Sequence, residues 1–375
     1  MDQVLSEMCI IVPVYNGEAT LRACLAALQQ APGPIRKIIV VDDGSEDGSA
    51  SIASSMGVEL VRHTERRGCG AARDTGVRLT NEPIIVFVDA DVVIDPAALH
   101  RIAAFMFANP EYAAVFGSYD AEPSDPGFIS QYRNLLHRIV HHAGKPDAET
   151  FWTGLGAVRR LAYYTVDGFR ANAPSIPDVL LGLDLTDAGF RVRSDPGLLG
   201  KHLKPWTLRS MVTTDVFLRA VPWTEIILCR GRFTNDLNTS WTHRVGVASA
   251  TLAVMALLLS AYALPLLFLA AVAFFTMLIA NAKIFVQFYR ERGPWFTLGA
   301  VPLHVIHQLC SSVGFAIGSA RYYLDKVPKY GFRYSAAIPR VEADYLSLPP
   351  PIGCTMITVA ADEKDAKAAS PCGAS

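Results

Sequence analysis

Residues 84–91 read Ile-Ile-Val-Phe-Val-Asp-Ala-Asp, an apolar run ending in two carboxylates one residue apart. Five consecutive apolar side chains bounded by turn formers suit a strand buried on both faces. The same pattern recurs upstream. Cys9-Ile-Ile-Val-Pro-Val14 reads as one strand, Ile38-Ile-Val-Val41 as a second and Val58 to Arg62 as a third, which makes Ile84 to Val88 the fourth. Thr20 to Gln30 carries an amphipathic helical pattern, with further helix candidates at about 48–56, 69–79 and 96–107. Strand–helix alternation with continuous apolar strands predicts an α/β domain, a mostly parallel sheet with helices on both faces. Ligands of such sheets bind outside the carboxyl ends of the strands. The polar residues just after each strand are therefore the ones that carry function.

Composition narrows the class. The chain has 375 residues, with 34 Lys+Arg against 35 Asp+Glu for a net charge of −1, a balance that argues against a nucleic-acid partner. Only 18% of residues are charged and 51% are apolar, and the mean hydropathy of +0.26 points toward a membrane component. The seven Cys are odd in number, scattered and never in C-x-x-C, which speaks against a disulfide framework or a zinc ribbon. No basic segment followed by an apolar one opens the chain, so no cleaved signal peptide is expected.

The composition shifts near Arg244. Val245 to Ile284 is almost uncharged and too long for one crossing of a ~30 Å hydrocarbon core, so two crossings broken at Tyr262-Ala-Leu-Pro265 are expected. A third apolar stretch, Trp295 to Ser319, carries Pro302, His304, His307 and Gln308 and is the weaker span; its Gly314 and Gly318 favour close helix packing. Arg230, Arg232 and Arg244 precede the first span, and Lys283, Arg290 and Arg292 follow the second. That places both flanks and the preceding domain on the cytoplasmic side of an inner or cytoplasmic membrane. Arg321, Lys326, Lys329 and Arg333 conflict with a third full crossing. Arg209 to Ile227 reads as an amphipathic element in the headgroup region with Trp223 as anchor. The expected domains are 1–205 (α/β), 206–243 (interface helices), 244–325 (two or three membrane helices) and 326–375 (a loose tail).

Two acidic clusters stand at strand ends, Val40-Val-Asp-Asp-Gly-Ser45 and Val88-Asp-Ala-Asp91. A carboxylate beside Gly and Ser can accept hydrogen bonds from a base or ribose. Two carboxylates at D-x-D spacing can offer oxygens to one hard cation, which then bridges diphosphate oxygens. Each cluster alone reads equally well as a turn. Their order is more specific. Pro13-Val-Tyr-Asn16, Val41-Asp-Asp-Gly-Ser45, Gly68-Cys-Gly-Ala-Ala-Arg-Asp-Thr-Gly76 and Asp89-Ala-Asp91, together, resemble the family 2 glycosyltransferases of GT-A fold from about Cys9 to Trp206.

That resemblance implies a set of roles. Pro13, Tyr15 and Asn16, with Asp42 and Asp43, border the donor's base and ribose, while Arg73 occupies the family's A-R-N position. Asp89 and Asp91 address the sugar diphosphate, with Asp91 the more direct ligand of Mg²⁺ or Mn²⁺. Phe151-Trp-Thr-Gly-Leu-Gly resembles the acceptor-lining stretch, which assigns Trp152 and Gly154 to the acceptor. Ile176-Pro-Asp-Val-Leu-Leu-Gly-Leu-Asp resembles the helix bearing the catalytic carboxylate, and Asp178 falls on it. On a first helical turn that carboxylate is expected to stay ionised and to take a proton from an attacking hydroxyl. Lys201-His-Leu-Lys-Pro-Trp206 resembles H-x-K-R-W: His202 completes the metal shell, Lys204 offsets diphosphate charge, and Trp206 stacks an acceptor sugar or anchors at the interface.

The departures are Pro177 for Glu, Leu180 for a second acid, Asp184 for Arg and Pro205 for Arg. The implied activity is metal-dependent, inverting transfer of a sugar from a nucleotide-diphosphate sugar to a lipid-linked or amphiphilic acceptor, in contact with membrane lipids and with no nucleic acid. The alternatives are a processive polysaccharide synthase and a non-catalytic membrane scaffold that retains the fold. His137, His141 and His142 are read as a solvated or acceptor-facing helix rather than a zinc site.

Overall fold

The computed structural model describes residues 5–33, 37–170, 175–231 and 240–324, together with the backbone of 358–359. Arg232, Lys326, Lys329, Arg333 and the rest of the expected tail lie outside the described residues. Strands β1 (Met8–Val14), β2 (Lys37–Asp42), β3 (Glu59–His63) and β4 (Ile84–Val88) alternate with helices α1 (Glu18–Gln30), α2 (Ser49–Ser55) and α3 (Cys69–Arg78). β1 pairs in parallel with β2 and β4, and β2 with β3, so their carboxyl ends share one edge. The remaining elements are β5 (Val92–Ile94), α4 (Ala98–Ala108), β6 (Tyr112–Tyr119), α5 (Phe128–Ala143), β7 (Asp147–Ala148), β8 (Leu155–Arg159), α6 (Arg160–Thr165), α7 (Pro177–Asp187) and β9 (Arg191–His202). β8 runs antiparallel between β4 and β6, β6 and β9 are parallel, and β5 and β7 pair antiparallel to β9. The result is a mostly parallel mixed sheet, with residues 358–359 (β10) added beside β3.

The period of two along each strand builds two cores. Ile10, Val12, Val86 and Val88 face α1 and α4, while Cys9, Ile11, Ile85 and Phe87 face α3 and α7. Both faces are thus covered, which is why β1 and β4 read as unbroken apolar runs.

After β9 the chain forms α8 (Leu208–Thr213), a π-helical run (Thr214–Ala220) and α9 (Val221–Arg230), then α10 (Trp241–Leu259), α11 (Leu266–Ala280) and α12 (Ala282–Tyr323). α12 is broken at Gly293 (φ 80°, ψ −177°), a left-handed backbone that glycine tolerates, and Pro294 follows. Its first arm packs on α5, where the Tyr132 and Phe288 rings lie 5.7 Å apart and Arg138 pairs with Glu291. Its second arm lies along the π-helical run and α9, and the Gly314/Gly318 spacing is used there. A Cβ at Gly314 would stand 2.3 Å from Ala220 Cβ, and one at Gly318 2.8 Å from Thr224 Cβ.

The span reading needs correction. α10 and α12 are long and apolar enough to cross a membrane. α11 has 15 residues, about 22 Å at 1.5 Å per residue, short of a ~30 Å core. The stretch read as the weaker span thus belongs to the longest apolar helix. Its polar residues turn inward: His304 Nδ1 lies 3.0 Å from the Tyr132 hydroxyl, and Gln308 donates to Asn281 Oδ1 at 3.2 Å.

Candidate active site

The parallel pairing of β2, β1 and β4 brings the two acidic clusters to one edge of the sheet, where they are built differently. Asp42 is fully buried and accepts from Ser45 N at 2.8 Å, with Arg62 Nε at 3.2 Å from its second oxygen. Asp43, 3% exposed, accepts from Arg67 N, Gly68 N and His63 Nδ1, each at 2.8 Å. His63 in turn bonds Thr75 Oγ1 at 2.9 Å, which ties the tip of β2 to α3. Asn16 (φ 50°) clamps the neighbouring loop: its N donates to Ser45 Oγ and its Oδ1 accepts from Glu46 N, both at 2.9 Å. Pro13 is the penultimate residue of β1, and just beyond the strand the Tyr15 ring is exposed, with the Arg66 guanidinium 4.2 Å from its centroid. Tyr15 and Arg66 thus present a flat face at this rim. Arg66 was not singled out from the sequence.

The second cluster is open. Asp89 and Asp91 each keep 31% of their side chain exposed. Gly154 O accepts from Asp89 N at 3.2 Å, because β8 runs antiparallel to β4 and delivers residues 152–154 beside the strand end. Gly154 is a packing requirement as well, since a Cβ there would lie 2.2 Å from Trp152 Cζ2. Asp89 Oδ1 pairs with Arg73 Nη2 at 2.5 Å, and Arg73 Nε, buried, has no hydrogen-bond partner. Burial works against the charge of Arg73, but Asp89, with Cys69 and Asp178 behind it, raises its pKa above the ordinary arginine value. Asp74, by contrast, turns away from the site to Tyr163 and Arg78.

Asp91 Oδ2 lies 3.3 Å from His202 Nε2, and His202 Nδ1 is 2.6 Å from Asn134 Oδ1. β5, which the sequence reading missed, makes this pairing: it turns back from Asp91 onto β9, so that Val92 faces His202. Burial opposes ionisation of Asp91, yet the His202 hydrogen bond and the charge of Lys204 hold its carboxyl below the ordinary range. Lys204 Nζ sits 4.6 Å over the Trp206 ring. Trp206 itself departs from its expected role. It is 9% exposed and packs under α5 and the first arm of α12, which leaves little of its ring open to stack a sugar.

Asp178 occupies the first turn of α7, after Pro177 at the start of the helix, and accepts from Val179 N at 2.9 Å. Burial pushes its carboxyl above the ordinary carboxylate range, against the pull of Arg73. Expected to be readily ionised, it is instead a strengthened base. The neighbouring departures have partners. Asp184 is gripped by Arg170, with Nε at 2.7 Å, and Leu180 is buried against Ile226 of α9.

Trp152 packs edge-on to Tyr119 (5.0 Å) and His141 (5.3 Å), while Tyr119 stacks on His202 at 4.3 Å. His137 and His141 therefore belong to a buried aromatic wall rather than a solvated helix, and burial lowers the pKa of both. Trp223, expected as a headgroup anchor, packs against the Leu180 and Ile226 cluster instead.

Residues 9–167 match the family model for glycosyl transferase family 2. Over 122 residues the chain is 34% identical to the putative glycosyltransferase EpsH of Bacillus subtilis, a match covering 32% of this chain and 35% of that protein. It is 31% identical over 218 residues to an N-acetylglucosaminyltransferase of Azorhizobium caulinodans, covering 52% of this chain and 54% of the other. The chain thus spans a third to about half of the length of these curated relatives. Its architecture is similar to that of the mannosyltransferase PcManGT from Pyrobaculum calidifontis, solved in complex with GDP-Man and Mn²⁺. That likeness has a TM-score of 0.53 at 18% identity over 86% of this chain and 88% of the other, and it is one of fold alone. The fold is of GT-A type, and residues 9–167 are similar to glycosyl transferase family 2.

Proposed function

We propose that the protein is a membrane-bound, inverting glycosyltransferase that moves a sugar from a nucleotide-diphosphate sugar to a hydroxyl of an amphiphilic, lipid-linked acceptor. The observation that carries this reading is the meeting of Asp178, Arg73 and Asp89 beside the Asp91–His202 pair. A base, a buried cation with an unspent donor and an open carboxylate pair are the groups such a transfer needs. Tyr15 with Arg66 offers a stacking face for the base, and Asp42 and Asp43 hold the loops around it. Asp178 takes the proton of the attacking hydroxyl as its oxygen bonds the anomeric carbon. The anomeric carbon–oxygen bond to the diphosphate breaks from the opposite face, and the nucleotide diphosphate leaves with the electron pair. Arg73 and Lys204 offset the charge that develops on it.

Among the described residues no three His, Cys, Asp or Glu form a ready-made metal cage. A divalent cation nevertheless fits the donors present. Asp91 Oδ2 and His202 Nε2 converge at 3.3 Å, and Mg²⁺-type ions bind through one or two carboxylates plus substrate phosphates. Asp91 and His202 would hold Mg²⁺ or Mn²⁺, and such an ion supplies Lewis-acid neutralisation of the diphosphate. The fold neighbour's Mn²⁺ supports that choice of ion.

Membrane insertion is supported by burial as well as length. Only 22% of the apolar window of α10 and 33% of that of α12 are buried inside the protein, too little for the core helices of a soluble domain. Leu258, Tyr262, Phe268 and Ile279 are exposed at 68–90%. The flanking basic residues favour a cytoplasmic catalytic domain.

The test is nucleotide release from UDP-, GDP- and dTDP-sugars by nanodisc-held protein, with a membrane lipid extract and either Mn²⁺ or EDTA. Lipid- and metal-dependent release that Asp91→Ala lowers by roughly a hundredfold or more supports the reading. A wild type that binds a nucleotide sugar but never turns it over with any lipid fraction would overturn it in favour of a scaffold.

A further inference from the structure

The π-helical run with α9, α10 and the second arm of α12 enclose a groove of about 760 Å³. Its three walls run in the same direction. Each begins polar, at Asp215 and Arg219, at His243 and at His307, and each continues apolar, through Trp223 and Ile227, through Leu252 and Met255, and to Phe315. Contacts between the walls hold the polar ends together: His307 Nδ1 donates to Asp215 Oδ2 at 2.8 Å, and the His243 and His307 rings are 5.9 Å apart. Met255 and Phe315 are half-exposed, so the groove is open along the side that carries the apolar surface of α10 and α12.

The polar end adjoins the candidate active site. Ser175 Oγ, just before α7, donates to Leu218 O at 3.1 Å. Arg219 lies within reach of the charges of Asp215 and Asp178, and Arg133, already paired with Asp215 at 2.5 Å, stands close enough to repel it. Arg219 makes no hydrogen bond or ion pair with any described residue, although it lines the groove. A guanidinium left between a buried Arg–Asp pair and an apolar channel is matched by an anion, which it can grip bidentately. Ligand pockets of this size with a few convergent polar groups hold molecules that are mostly apolar.

We propose that this groove is the acceptor's seat, and that its occupant is an amphiphile in which a phosphate-type anionic linkage joins an apolar chain to a hydroxyl-bearing head. The chain lies along Trp223, Leu252, Met255 and Phe315, the anion meets Arg219, and the head reaches Asp178. The inference rests on the transferase reading for the role of Asp178 alone, and its test does not require turnover.

The probes are ω-brominated dodecyl phosphate and the same brominated chain on a neutral glucoside, titrated into nanodisc-held full-length protein. Bromine quenches a nearby indole, and the contribution of Trp223 is the difference between wild type and Trp223→Phe. The phosphate probe is expected to quench saturably and to bind roughly tenfold or more tightly than the glucoside. Arg219→Gln should erase that preference while leaving glucoside binding unchanged. Ala248→Phe, at an exposed position on the groove wall, should abolish saturable quenching by both probes without lowering the thermal midpoint. Quenching that rises linearly with probe, persists in Ala248→Phe or is equal for the two headgroups would overturn the proposal. If the transferase reading fails but this one holds, the probe still binds while no nucleotide sugar is turned over.

Discussion

The two acidic strand ends look alike in sequence and differ in chemistry. At the tip of β2, Asp42 and Asp43 are 0% and 3% exposed; three donors already occupy the Asp43 oxygens, while Asp42 accepts from Ser45 N and faces the Arg62 cation. At the tip of β4, Asp89 and Asp91 keep 31% of their side chains open, and the carboxylate of each has one side-chain hydrogen-bond partner, Arg73 or His202. A carboxylate that has already collected three donors has little left for a ligand, whereas one held by a single partner can exchange that partner for substrate or metal. In the proposed reading the first pair is therefore the frame of the site and the second its working face.

The largest effect expected across this divide is at Asp178, which belongs with the working face. Asp178→Asn should lower kcat about 10²–10⁴-fold with the KM for donor little changed. Its thermal midpoint should stay level or rise, since a buried charge is removed. Asp43→Ala should do the reverse. It strands the donors of Arg67, Gly68 and His63 and should cost about 2–4 kcal/mol by denaturant titration, with activity falling only as the folded fraction does. If Asp43→Ala instead abolished donor binding at unchanged stability, the division between frame and face would collapse.

The pH profile sharpens the same contrast. Asp178 must be deprotonated to accept a proton, and burial sets its pKa above the ordinary carboxylate value. The rate should therefore fall as pH drops through that raised pKa, at a higher pH than an exposed aspartate would give, and Asp178→Asn should lose this acid limb. The smallest effect belongs to Pro205, which is exposed. Pro205→Arg should change stability by no more than about 0.5 kcal/mol and leave kcat/KM within a factor of two or so, as expected of a surface position.

The fold was legible because β1 and β4 are covered on both faces and so advertise themselves as unbroken apolar runs. The position of Asp89 and Asp91 after β4 followed directly. What stayed hidden depended on distant partners. The donors to Asp43 come from 20 to 25 residues away, and nothing local distinguishes a saturated carboxylate from an open one. β5 is three residues long, too short for alternation to register, yet it sets His202 against Asp91. Trp206 reads as a ring for stacking until the first arm of α12 covers it, an event 80 residues downstream. Arg219 sat in the run read as an amphipathic element of the headgroup region, and its groove is made with residues of α10 and α12 far along the chain.

The bond between His63 and Asp43, with Thr75 on the far side of the ring, has a consequence for how specificity can change. The tip of β2 borders the proposed base pocket, while α3, which carries Thr75, also carries Arg73. A substitution that reshapes the pocket for another base must keep this hinge intact or displace the arginine as well. The unit that can be exchanged between relatives is then the whole stretch from Asp42 to Gly76. Chimeras cut inside it should inherit a mismatched joint, and those cut at its ends should not.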